Sequence, residues 1–231
     1  RHSFPTRRSS DLTDGLPSIT PNDQNGSSVG GQITVYESGL STGSNASAAS
    51  ESASGTIQIN AGDGLSSINI GGQTFSLSQL QSLSSSNPSA AINVAGGTIV
   101  LNGFTANSSV GGIPTSGSLS YTYTLNNAQT HSAVGNDDLL LSGIPLSVTD
   151  AGGVTTTGSL VVQVIDDVPT AVNASNSIPV GSLAVVTGNV VSNDTKGADG
   201  ARVTTVKSDT AGGADVTINP VGNYQVSGQY G

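Results

Sequence analysis

The chain has no cysteine, methionine or tryptophan, and only 3% of its 231 residues are aromatic. Lack of cysteine excludes disulfides, zinc–thiolate sites and thiol nucleophiles. It fixes no compartment, but it agrees with a bacterial protein exported unfolded, which cannot rely on disulfide staples. Charge is scarce as well. Asp, Glu, Lys and Arg make up 9% of the residues, against about a quarter in an ordinary soluble domain. What charge there is leans acidic, with 15 Asp and Glu against 6 Lys and Arg and a formal net charge of −9. So acidic a chain repels nucleic acid and anionic membrane surfaces, and its expected inorganic partner is a divalent cation. No apolar run approaches the roughly 18 residues of a membrane-spanning helix. The N-terminus is basic but lacks the apolar stretch of a signal peptide.

Glycine is abundant (31 residues), as are serine and threonine, set between short alternating runs of Val, Ile and Leu. Such a pattern predicts an all-β protein with many turns, not a disordered one. Residues 1–12, RHSFPTRRSSDL, stand outside it. They resemble a translated sequencing adapter and are set apart from the fold as a non-native leader. Without them the chain keeps 3 basic and 14 acidic residues, a net of −11. At the other end Gln229-Tyr-Gly231 breaks off within a strand pattern, so the chain is expected to be a piece of something longer.

The organising stretch is Gly158 to Val172, GSLVVQVIDDVPTAV. Leu160, Val162 and Val164 fall on one side of an extended strand, and Val161, Gln163 and Ile165 on the other. Asp166-Asp167 follows, and Pro169 stops the strand by removing a ladder donor. A weaker copy of this joint, Asp14-Gly-Leu-Pro17, lies 152 residues earlier, the length of one ordinary domain. Residues 13–168 are therefore expected to form one complete unit of a tandem array.

Within that unit, strands are predicted at 32–37, 56–60, 98–102 and 118–125. Residues 38–55 read as a long flexible loop, and 126–138 as a polar one. A hairpin is expected across Gly71-Gly72, and a second over Ala151-Gly-Gly153 joins 144–150 to one strand over 154–165. Leu77, Leu80 and Leu83 fall three apart, and Ser76 with Gln79 matches a capping box, so one or two helical turns are expected there. Leu119, Tyr121, Tyr123 and Leu125 share one face of their strand. The short, closely spaced strands imply a two-sheet sandwich. Beyond Pro169 the count restarts, with candidate strands at 182–191, 201–207, 214–219 and 223–229. That remainder is too short to close a comparable core, so residues 169–231 are read as a second, incomplete β-sandwich.

Several motifs occur in order: Gly64-Leu-Ser-Ser-Ile-Asn-Ile-Gly-Gly72, the Leu-Ser-Gln-Leu80 turn, Gly97-Thr-Ile-Val-Leu-Asn-Gly-Phe104, Tyr121-Thr-Tyr-Thr-Leu125, Val148-Thr-Asp150 and Ile165-Asp-Asp-Val-Pro-Thr-Ala171. Together they resemble the tandem Ig-like repeat of giant bacterial adhesins and RTX-type proteins exported by type I secretion. Residues 170–231 resemble the first half of a VCBS or cadherin-like repeat, through Gly188 to Asp194, Gly197 to Gly200 and Gly222-Asn-Tyr224. The resemblance implies an extracellular, cell-surface module for adhesion and biofilm. Its implied partners are neighbouring repeats and cell-surface or matrix ligands, with calcium stiffening the joints. Two positions depart from it: Asp150 is followed by Ala-Gly-Gly-Val instead of further acids, and Lys196 follows the Asn-Asp-Thr turn. The RTX nonapeptide is absent.

Carboxylates are the one class of side chain with a claim to chemistry. Calcium takes six to eight oxygens, and Asp166 and Asp167 at the joint, Asp150 on a strand taken to pair with theirs, and Asp194 and Asp199 in later loops are the candidate ligands. Solvated turn residues are the plainer account of the same aspartates. His131, in Gln129-Thr-His-Ser132, reads as an ordinary surface histidine. No Gly-x-Ser-x-Gly elbow or phosphate-binding loop is present, and no catalytic residue is expected. A carbohydrate-binding module is the alternative with a ligand, but without tryptophan its stacking platform would fall to Tyr121 and Tyr123, which pattern with the core.

Overall fold

The computed structural model describes residues 15–131, 138–174, 188–203, 205–207 and 215–217. In chain order the strands up to Asp167 are β1 (Ser18–Pro21), β2 (Ile33–Tyr36), β3 (Ser52–Asn60), β4 (Leu65–Ile70), β5 (Gln73–Ser76), β6 (Ile92–Val94), β7 (Gly97–Val110), β8 (Ile113–Leu125), β9 (Leu139–Leu140), β10 (Ile144–Asp150), β11 (Thr155–Leu160) and β12 (Val162–Ile165). A short helix, α1 (Leu77–Ser82), follows β5. Two later strands, β13 (Thr205–Lys207) and β14 (Asp215–Thr217), pair as an antiparallel ribbon.

The protein is an all-β sandwich, as the alternation predicts, with one short α-helix among the described residues. One layer is a five-stranded sheet, β1-β3-β8-β7-β6. Facing it are a four-stranded sheet, β11-β10-β4-β5, and a three-stranded one, β2-β12-β9. The last two are linked by the chain itself. β11 runs into β12 with a break only at Val161, so the expected single strand over 154–165 is two strands serving two sheets. All three sheets send side chains into one core. Ile57, Leu101, Leu119, Tyr121 and Tyr123 come from the first, Ile68, Ile70, Ile144 and Val148 from the second, and Ile33, Val35, Val162 and Val164 from the third. Alternation along β8 is complete: Leu119, Tyr121, Tyr123 and Leu125 are buried, while the serines and threonines between them are half-exposed.

Local signals explain the connections. Gly71 and Gly72 have φ of 58° and 89°, a backbone that joins β4 to β5 with the twist a two-residue hairpin requires. Helix α1 carries the expected capping box: Ser76 Oγ accepts from the Gln79 amide at 3.4 Å, and Gln79 Oε1 accepts from the Ser76 amide at 2.8 Å. Its two leucines, Leu77 and Leu80, and Leu83 at its C-cap pack on the core, with Leu80 fully buried.

The expected flexible loop over 38–55 is shorter and more ordered than composition suggests. It holds two 3₁₀ turns, Glu37–Gly39 and Ala46–Ala48, and β3 already begins at Ser52. Ser52 and Ser54 lie in the sheet because their hydroxyls meet Thr124 and Thr122 across the ladder at 2.8 and 2.9 Å. β7 and β8 are also longer than predicted, and the end of β7 from Thr105, the turn and Ile113 are exposed, while the β8 arm from Pro114 on is buried or half-buried.

After Asp167 the chain leaves the core, and residues 168–174 are exposed. Two backbone bonds of 2.9 and 3.0 Å then tie Thr170 to Thr195. Of the strand expected over 182–191, residues 188–191 form no strand, with a turn at 190–191, and 182–187 lie outside the described residues. The expected strand at 223–229 lies outside them as well. Of the strand expected at 201–207, 205–207 form β13 and 201–203 form no strand, and of that expected at 214–219, 215–217 form β14, with the remaining positions outside the described residues.

Candidate functional site

β2 and β12 pair in parallel, in register from Ile33↔Val162 to Tyr36↔Ile165. One residue past that ladder on each strand stand Glu37 and Asp166. Because side chains alternate along a strand, both continue the inward faces set by Ile33 and Val35 on one strand and Val162 and Val164 on the other. Two carboxylates are thereby carried side by side to the end of a buried sheet. Glu37 has no exposure and the Asp166 side chain 7%.

His131 closes the group from the segment after β8. Its side chain is only 5% exposed, with Nε2 lying 3.2 Å from Glu37 Oε1 and 3.8 Å from Asp166 Oδ1. The surface histidine expected from a polar stretch is thus a buried member of an acidic cluster. Glu37 Oε1 also accepts from the Gln129 amide at 2.6 Å, which orients the carboxylate. Its second oxygen, Oε2, is buried without a hydrogen-bond partner. Among the described residues, this trio is the one place where three His, Asp or Glu ligand atoms converge.

The other candidate aspartates have separate occupations. Asp167, 6% exposed, accepts from the Ser44 amide at 2.7 Å and from Ser44 Oγ at 2.5 Å, fastening the 3₁₀ loop to the exit of β12. Asp150 is not on a strand paired with the joint, since β10 pairs with β4 and β11 while β12 pairs with β2 and β9. It shapes its own turn instead. Oδ1 accepts from the Val154 amide at 2.9 Å, and buried Oδ2 has no hydrogen-bond partner. Asp194 Oδ1 accepts from the Val172 amide at 2.8 Å, and Asp199 is exposed in a turn closed by Gly197 and Gly200.

Among the described residues these aspartates do not converge on one another, and Asp166 joins Glu37 and His131 instead. The one convergent group contains an imidazole, which calcium does not favour. Tyr121 and Tyr123 are fully buried and offer no surface on which a sugar could stack. Among the described residues, the groove lined by Pro169, Val172, Val190, Asp194 and Arg202 has no aromatic wall.

Glu37 and Asp166 carried a readable signal. Each is a charged residue at the next inward position of an alternating apolar run, where a charge is costly without a partner. His131 carried none, because a polar loop reveals nothing of what it packs on. Compared with family models, curated proteins and solved structures, the chain matches none.

Proposed function

We propose that this chain is a structural and adhesive repeat module of a very large secreted or cell-surface bacterial protein. Its work is to carry tension along that protein and to hold neighbouring repeats, or cell-surface and matrix ligands, at a distance from the cell. The observation that supports this reading is the parallel pairing of β2, near the start of the unit, with β12, its last strand. Tension applied at the start of β2 and the end of β12 pulls the two strands past each other lengthwise. All the rungs are then loaded together. An antiparallel closing pair would instead unzip, its rungs breaking in succession. The order of motifs shared with adhesin repeats and the acidic joint at Asp166-Asp167 agree with the same role.

Single-molecule pulling tests it, and the lack of native cysteine makes introduced handles unique. Handles at Gln32 and Val168 load opposite ends of the β2–β12 pair, whereas handles at Gln32 and Val161 load one end. The first geometry is expected to require a several-fold higher unfolding force. Equal forces would remove the mechanical reading.

A further inference from the structure

We propose that Glu37, His131 and Asp166 form a binding site for one divalent transition-metal ion of the zinc class. The argument begins with charge. Two carboxylates lie together, with 0 and 7% side-chain exposure, and among the described residues neither pairs with a lysine or arginine. Buried ionised groups without compensation cost several kcal/mol each. One imidazole can offset at most one of the two charges, and only when protonated. A divalent cation balances both, takes neutral imidazole nitrogen as a ligand and, bound by both oxygens of the glutamate, gives the buried Glu37 Oε2 a partner it otherwise lacks.

Spacing agrees. Atoms bound about 2.1 Å from a shared ion stand about 3 to 4 Å apart, and the two distances from His131 Nε2 are 3.2 and 3.8 Å. All three ligand atoms lie within 4.8 Å of one another, so small side-chain shifts close the set. The Gln129 amide fixes the glutamate in the way that outer hydrogen bonds orient metal ligands. Donor chemistry selects the ion. Calcium and magnesium take oxygen, whereas an imidazole with two carboxylates suits zinc and its transition-metal neighbours. Bound there, the ion clips the ends of β2 and β12 to the segment that follows β8, closing loops far longer than any turn. The site stands whether or not the chain is an adhesin repeat.

The test uses the full 231-residue chain, stripped with chelator and titrated with zinc chloride in excess calcium, which occupies exposed carboxylates. Wild type is expected to take up one zinc per chain. At zinc concentrations about a hundred times the dissociation constant, its Tm should rise by about 5 °C or more. His131→Ala and Asp166→Asn should each weaken uptake at least tenfold and lose the Tm shift, and cobalt in place of zinc should give a visible absorption band that His131→Ala abolishes. Because the two variants alter different elements, a folding failure in one leaves the other informative. Lack of zinc uptake by wild type, displacement by calcium at equal concentration, or the same Tm shift in wild type and both variants would overturn the proposal.

Discussion

Tyr121 and Tyr123 occupy alternate inward positions of the same strand, yet their hydroxyls have opposite fates. Tyr123 donates to the Ala95 carbonyl at 2.8 Å, while the Tyr121 hydroxyl is buried without a partner against Gly55, its cross-strand neighbour. An unmade bond to a buried hydroxyl costs more than a made one contributes. Tyr123→Phe should therefore lose about 1 kcal/mol in urea denaturation, and Tyr121→Phe should be neutral or gain about as much. Burial also disfavours both phenolates, pushing Tyr123 up to about 12 and Tyr121 further. The folded-state values lie above the ordinary value near 10, so unfolded chains lose these protons first. Stability should hold up to about pH 10 and fall as pH climbs from there through about 12, and each Phe variant should flatten that fall. The alternation made both rings legible as core. Where each hydroxyl would end was not legible, because Ala95 reaches Tyr123 only through the pairing of β7 with β8.

At the scale of elements, strands are readable where apolar residues alternate, and they vanish where polar ones do the pairing. Gly71-Gly72 and Gly111-Gly112 make the same kind of turn, with both φ values positive in each. Only the first was readable, because Ile68 and Ile70 alternate beside it, while Thr105 to Ser109 offers no apolar face. β1 is hidden for a similar reason: it has one inward residue, Ile19, between Pro17 and Pro21. Proline at the end of an edge strand is tolerated, but it masks the strand from pattern reading. Helix α1 was legible because its signal is chemical as well as periodic. Six residues cannot hold a helix on propensity alone, so the cap and the burial of Leu80 share the task. Ser76→Ala should cost about 1 kcal/mol and lower Tm by about 2 to 4 °C. Amide exchange at Gln79 should quicken, with Ile57 in the opposite layer unaffected. An unchanged exchange rate at Gln79 would mean that leucine packing alone holds the turn.

Across the whole molecule, three chain segments separated widely in sequence meet at the exit of β12, and no local pattern predicts such a meeting. Parallel pairing of β2 with β12 sets Glu37 beside Asp166, Ser44 reaches back to Asp167, and Gly197 packs against the Asp167 carbonyl. At the acidic joint read from the sequence, exposure begins at Val168. The joint is no loose hinge, though, because Asp167 is nearly fully buried and spends both oxygens on one serine. Those bonds are charge-assisted, and each is worth more than a neutral one. Asp167→Ala removes both, freeing the 3₁₀ loop from the strand that tension would load first. Ser44 can turn to water, which offsets some of the loss, so the expected cost is about 2 kcal/mol. Ser44→Ala removes only the hydroxyl bond and should cost about half that. Since the two residues touch, the double variant should cost clearly less than the two single losses added. Strict additivity in urea denaturation would mean that the loop and the strand end are held independently. If the joint also transmits force, Asp167→Ala should lower the unfolding force with handles at Gln32 and Val168. With handles at Gln32 and Val161 it should leave the force unchanged, because there the first rung to break lies at the far end of β12.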